Sequence, residues 1–188
     1  MANHSLLTVE QAAQCLNDGD IIAYPTEAVF GLGCDPCNEQ AVRRLLHLKN
    51  RPLSAGLILI ADSYQRFEPF IGPVSAKSQQ LAMSAWPGPV TWLFPRAASV
   101  PDWLAGNHNT IALRLTAHQT CTELCAAFGG AVVSTSANPS SAEPARSAGR
   151  VEDYFGSCLG GIVGGALGGE ERPSEIRDLA SGAVIREN

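Results

Sequence analysis

The chain has 188 residues, enough for one domain to bury a core without disulfide or metal staples. Hydrophobic residues make up 45% and charged residues 16%, which excludes a disordered chain, and the formal net charge of −5 argues against a nucleic-acid-binding surface spread over the whole protein. Apolar runs such as residues 57–61 and 131–133 are too short to span a bilayer, and Met1-Ala2-Asn3-His4-Ser5 lacks the basic start and apolar run of a secretory signal, so a cytoplasmic protein is expected.

Thr8-Val9-Glu10-Gln11 reads as a capping box that opens a helix ending near Asn17-Asp18-Gly19. Residues 21–24 are a short apolar run stopped by Pro25, the pattern of a buried strand. Residues 26–36 carry Gly31, Gly33 and Pro36 and read as a loop. Asn38 is placed to cap a second helix, with Val42, Leu45, Leu46 and Lys49 at helical spacing and its end set by Pro52. Residues 57–60 form a second buried strand. A helix over residues 75–84 is broken by Trp86-Pro87-Gly88-Pro89, and strands follow at residues 90–94 and 111–115. Residues 119–128 read as a helix closed by Gly129-Gly130, and residues 131–134 as a strand entering the polar turn Thr135-Ser136-Ala137-Asn138-Pro139. A weak helix covers residues 146–155. Short strands at 162–163, 176–179 and 183–185 complete the chain, the last two joined by a turn at Ser181-Gly182.

Strands alternate with helices along most of the length, which predicts an α/β architecture with residues 1–188 as a single domain. There is no internal repeat, and the glycine-rich stretch 160–169 is too short to be a linker.

Several groups stand where chemistry needs them. Thr26 and Glu27 follow one apolar strand, and Ser134, Ser136 and Asn138 close another; strand ends commonly bind ligands in α/β sheets, although such residues also simply turn chains. Arg43, Arg44, Lys49 and Arg51 lie close together. Lys49-Asn50-Arg51 pairs a compact charge with a planar fork, a combination that suits phosphate oxygens. By spacing alone, a solvated helix terminus explains the two cations better. Arg114 interrupts the apolar strand Ile111-Ala112-Leu113-Arg114-Leu115 and, if buried, needs an anion: a substrate carboxylate or an internal acid, with nothing in the spacing to choose between them.

Other features carry less. Cys34-Asp35-Pro36-Cys37 has CxxC spacing but falls in a Gly- and Pro-rich turn, and Cys121 with Cys125 completes no finger-like frame, so free thiols are expected. The four histidines have no metal-binding spacing, and His4 is terminal. Residues 160–169 lack the Gly-Lys-Ser/Thr ending of a phosphate loop and read as a flexible loop beside the site. Trp86, Trp92 and Trp103 read as core.

At these same residues the sequence resembles the YrdC family of threonylcarbamoyl-AMP synthases, in its short bacterial form. The resemblance rests on Ala23-Tyr24-Pro25-Thr26-Glu27-Ala28-Val29-Phe30-Gly31-Leu32-Gly33, Leu48-Lys49-Asn50-Arg51-Pro52 and Trp86-Pro87-Gly88-Pro89-Val90-Thr91. It continues through Ala112-Leu113-Arg114-Leu115, Ser134-Thr135-Ser136-Ala137-Asn138 and Pro173-Ser174-Glu175-Ile176-Arg177-Asp178. The blocks stand in the family's order and span nearly the whole chain. Cys37 is outside the pattern, Arg177 matches the short bacterial form and is less general, and no counterpart of the extra C-terminal domain of longer members is expected.

The resemblance implies a twisted mixed sheet with flanking helices and an open, positively lined concave face. It implies conversion of L-threonine, bicarbonate and ATP to threonylcarbamoyl-AMP and pyrophosphate, with Mg2+ carried largely by ATP and water. The product would pass to a transferase complex that modifies the adenosine beside the anticodon of tRNA, and a weak tRNA contact is compatible with the acidic charge. Lys49, Arg51, Ser136 and Asn138 correspond to the family's nucleotide-holding motifs, with Lys49 and Arg51 stabilising charge in the reaction. Thr26, Arg114 and Ser174 correspond to its threonine-binding positions, and no residue is assigned to a metal. The rivals are a noncatalytic RNA-binding module in tRNA or ribosome maturation, and a carbamoyl-transfer domain of hydrogenase maturation.

Overall fold

The computed structural model describes residues 6–187, so the expectation for the first five residues lies outside the described residues. Helix α1 (Val9–Asn17) starts as its capping box requires: Gln11 N–H donates to Thr8 Oγ1 at 3.3 Å and Thr8 N–H to Gln11 Oε1 at 2.9 Å. Strand β1 (Ile22–Pro25) turns through residues 26–29 into β2 (Phe30–Gly33). Helix α2 (Glu39–Lys49) is capped by Asn38, whose Oδ1 accepts from Ala41 N–H at 3.1 Å, and ends on Asn50 in the left-handed region at φ 52°. After β3 (Ile58–Ala61) come α3 (Ala76–Ala85), β4 (Val90–Pro95), the short α4 (Asp102–Ala105) and β5 (Thr110–Leu115). Helix α5 (Gln119–Phe128) closes on Gly129 at φ 81° and leads into β6 (Val132–Ser136). Helix α6 (Ala148–Phe155), β7 (Gly161–Ile162), β8 (Glu175–Asp178) and β9 (Val184–Arg186) complete the order.

The strands form one nine-stranded mixed sheet, β7-β1-β2-β6-β3-β5-β4-β8-β9. The loop expected over residues 26–36 is corrected: residues 30–33 are β2, paired antiparallel with both β1 and β6. Its glycines are there for packing. A Cβ on Gly33 would lie 2.5 Å from Val133 O and 2.7 Å from the Tyr24 ring.

Alternation along the strands sorts residues onto two faces. Ile22, Tyr24, Ile60 and Val132 pack with Ala12 and Leu16 of α1 and Leu124 of α5. Ile21, Ala23, Leu59, Ala61 and Val133 join the larger core with Val42, Leu45 and Leu46 of α2 and Val151 and Phe155 of α6. Through the sheet register the α1/α5 face continues to Ile58, Ser134, Ala112, Arg114, Leu93, Thr91 and Ile176. There it forms an open hollow. Because β1 and β6 run opposite to β3 and β5, strand C-terminal ends do not share one edge, and the site is built on this face instead.

Candidate active site

The open face holds a cleft of about 880 Å³, its mouth included, lined among others by Thr26, Glu27, Arg51, Arg114, Ser136, Ser174 and Arg186. Beside it lies a more apolar hollow of about 740 Å³, floored by Leu57, Ile58, Leu93, Ala112 and Ile176. Arg51 and Arg186 line both. Among the described residues, the ionisable groups of the cleft are Arg51, Arg114, Arg172 and Arg186 against the single carboxylate Glu27, so an acidic protein presents a cationic site here.

Arg114 is buried, and its Nη2 lies 3.2 Å from Glu27 Oε2. The anion it needs is therefore met internally, by a residue 87 positions away in the sequence (114 less 27). Glu27 Oε1 accepts from Thr116 Oγ1 at 2.7 Å, and Thr116 Oγ1 accepts from His118 N–H at 3.1 Å, which fixes the direction of the hydroxyl proton. Arg114 Nε has no hydrogen-bond partner, and Glu27 Oε2 has none beyond its ionic contact with Arg114 Nη2. Thr26 is buried, and its hydroxyl donates to Val29 O at 2.7 Å, so toward a ligand it offers only lone pairs.

The segment 164–170 is ordered against this corner. Gly168 N–H donates to Thr26 O at 3.0 Å and Glu170 N–H to Glu27 O at 2.9 Å. His118 Nε2 lies 3.0 Å from Ala166 O; since a carbonyl accepts only, that nitrogen carries the proton.

Lys49 is not a solvated helix terminus: it is 4% exposed. Its Nζ donates to Ser136 O and, at 2.7 Å, to Asn138 O, with Asn138 Oδ1 at 3.4 Å. Burial, and secondarily the Arg51 charge, lowers its pKa from 10.5 to about 8. Asn138 Nδ2 donates to Ala142 O at 2.7 Å and Pro139 O at 3.1 Å. Neither Lys49 nor Asn138 is among the lining residues; they stand behind Ser136, which is. Arg51 Nη2 donates to Gly56 O at 2.9 Å, while its Nε is buried without a partner. Burial lowers the Arg51 pKa.

Ser174 Oγ is 2.9 Å from Thr91 Oγ1, both buried, which ties the cleft wall to the strand following Trp86-Pro87-Gly88-Pro89. Arg186 of β9 donates to Ser174 O at 2.7 Å. Burial, then the charges of Arg114 and Arg51, lowers its pKa. Sequence reasoning did not single out Arg186; only its position after the turn at residues 181–182, opposite Ile176 in β8, marks it. Arg177 pairs with Glu175 and lies over the Trp92 ring, outside both hollows.

All six cysteines are free. Burial pushes Cys34 up to about 12, the opposite of the thiolate that a redox or zinc pair needs. No group of three His, Cys, Asp or Glu side chains among the described residues is placed to hold a metal.

Residues 14–188 match the family model for Sua5/YciO/YrdC proteins, described as telomere recombination. The chain belongs to the Sua5/YciO/YrdC family. It is 51% identical over 178 residues to a threonylcarbamoyl-AMP synthase of Halorhodospira halophila, covering 95% of this chain and 93% of that one. It is 50% identical over 182 residues to a threonylcarbamoyl-AMP synthase of Pseudomonas putida KT2440, covering 97% and 98%. Among Sua5/YciO/YrdC structures, P. abyssi Sua5 complexed with L-threonine superposes with a TM-score of 0.88 at 29% identity, covering 95% of this chain and 53% of that one. The chain thus spans about half the length of that Sua5 chain. E. coli YciO shares the fold, with a TM-score of 0.83 at 24% identity over 95% of this chain and 88% of that one. Among the described residues of this family member, no helix is long and apolar enough to cross a membrane.

Proposed function

We infer that the chain is an enzyme that makes threonylcarbamoyl-AMP, using ATP and L-threonine. The observation that carries this, beyond the family, is the pair of hollows on one open sheet face sharing Arg51 and Arg186. The apolar hollow suits a nucleobase. The cationic cleft suits a small amino acid. The shared arginines suit the phosphates between them.

In this reading residues 1–188 form one catalytic domain that acts in the cytoplasm. Arg114 holds the threonine carboxylate, with Thr26 and Ser174 beside it. Arg51 and Arg186 offset the growing charge on the phosphates as a threonine carbamate, formed with bicarbonate, attacks the α-phosphorus and pyrophosphate leaves. Ser136 orients the nucleotide. Lys49 and Asn138 hold the Ser136 segment from behind, because the Lys49 donors already face Ser136 and Asn138, and the Lys49 ammonium adds positive charge. Glu27 of the cleft is in ionic contact with Arg114, and among the described residues no cluster of carboxylates is placed to cage Mg2+; the ion would enter on the triphosphate. The product would be passed to a tRNA-modifying transferase complex.

Two variants test the division of labour. Arg114→Ala is expected to weaken threonine binding by at least about tenfold, the effect of one charge-assisted contact, with ATP binding little changed; Arg51→Ala does the reverse. Equal losses of both ligands in both variants would overturn the assignment.

A further inference from the structure

The cleft floor holds two buried polar atoms of opposite character, each without a hydrogen-bond partner: the acceptor Glu27 Oε2 and the donor Arg114 Nε. Their residues are 9% and 7% exposed, and the two side chains form an ion pair at 3.2 Å. Glu27 Oε2 meets Arg114 Nη2 only as an ion pair, and buried polar atoms are nearly always hydrogen-bonded, so an acceptor with lone-pair capacity to spare beside an unpartnered donor at the wall of a cleft marks a place for a ligand.

We propose that Glu27 is the residue that recognises the α-ammonium group of the substrate, so that Glu27 and Arg114 together read the zwitterion of an amino acid. This rests on the reading of the cleft as the threonine site. Among the described residues Glu27 is the only carboxylate lining the cleft, and arginines occupy the other ionisable positions. Among the lining side chains, it alone offers a cationic group a negative partner. Its Oε1 accepts from the Thr116 hydroxyl, itself oriented by His118 N–H, while Oε2, in ionic contact with Arg114 Nη2 at 3.2 Å but without a hydrogen bond, keeps lone-pair capacity for a ligand donor.

Discrimination follows from charge. A ligand bearing a carboxylate alone would approach an Arg114 already neutralised by Glu27 and would meet the Glu27 charge as repulsion. A ligand bearing both groups places its ammonium on Glu27 and its carboxylate on Arg114, and four charges alternate in sign. Glu27 is thus a specificity-determining residue for the α-amino group, the nitrogen that must end up bonded to the carbamate carbon.

The test compares L-threonine with 3-hydroxybutyrate, which lacks the amine and keeps the carboxylate and hydroxyl, by calorimetry on the wild-type protein and on Glu27→Gln. Wild type is expected to favour threonine by about tenfold to a hundredfold, the range for a charge-assisted hydrogen bond, and Glu27→Gln to bring the ratio near one. Glu27→Asp, which keeps the charge, is expected to retain part of the preference, an outcome that a merely structural role would not produce. If wild type binds both ligands equally, or Glu27→Gln keeps the full ratio, the proposal is overturned. The wild-type ratio decides alone should the variants fail to fold. No threonine binding to wild type, with the protein folded, would overturn the threonine reading itself and is recognisable as such.

Discussion

Replacing Lys49 with Met tests whether this residue supports the site or only touches phosphate. The substitution keeps the stem and removes the ammonium. It deletes the contacts to Ser136 O and to Asn138 O at 2.7 Å and leaves two carbonyls without their donor. Hydrogen bonds to charged groups contribute about 1.5–3 kcal/mol each, so about 3–6 kcal/mol is lost in gross terms. Removing a charge that is 4% exposed returns part of this, because burial already disfavours the ammonium. A net loss of about 2–4 kcal/mol in unfolding free energy follows, at about 2–4 °C in Tm per kcal/mol for a chain of this size. The assay is urea denaturation of the ligand-free protein, alongside KM for ATP in a pyrophosphate-release assay, where a rise of about tenfold is expected as the Ser136 segment loosens. Unchanged ligand-free stability with ATP binding abolished would refute the supporting role and leave Lys49 as a direct phosphate contact.

Other outcomes follow from the same geometry. Ser174→Ala leaves the Thr91 hydroxyl buried without its partner at 2.9 Å and should cost about 1–3 kcal/mol in chemical denaturation, with KM for threonine raised. Gly168→Val should displace the 164–170 segment, since a Cβ there would lie 3.0 Å from Glu27 Cα and 3.1 Å from His118; loss of amide protection at Gly168 and Glu170 in hydrogen exchange would report it, and unaltered protection would count against the fit. Lys49 gives opposite trends with pH. Its pKa is about 8 folded and 10.5 ordinarily, so between those values the unfolded chain holds more protons and the Lys49 contribution to stability rises with pH, while ATP affinity falls as the ammonium is lost. In Lys49→Met both trends should vanish, as followed by denaturation and by ATP titration from pH 7 to about 9.5.

Local signals carried the helices. Thr8 and Gln11 announced α1, Asn38 announced α2, and α5 runs over the residues its pattern marked. Strand β2 was illegible because Gly31 and Gly33 signal a turn when read alone; their cause is the Tyr24 ring and the Val133 carbonyl, contacts that only the folded sheet creates. The burial of Lys49 was illegible for a related reason. A lysine in the last turn of a helix has the same spacing whether solvated or buried, and the carbonyls that bury this one lie 87 and 89 residues away. Arg114 was recognisably in need of an anion, but Glu27 is reached only through the turn after β1. Arg186 carries no local mark, since a three-residue strand near the end of the sequence looks like surface until β8 places it beside Ser174.

The most direct test of the central claim is pyrophosphate release from ATP and magnesium by the wild-type protein, omitting threonine or bicarbonate in turn, with the product identified by mass spectrometry. Release that requires both, with threonylcarbamoyl-AMP as the product, is the expected result. Release without threonine, or no release from folded protein that binds ATP, would contradict it.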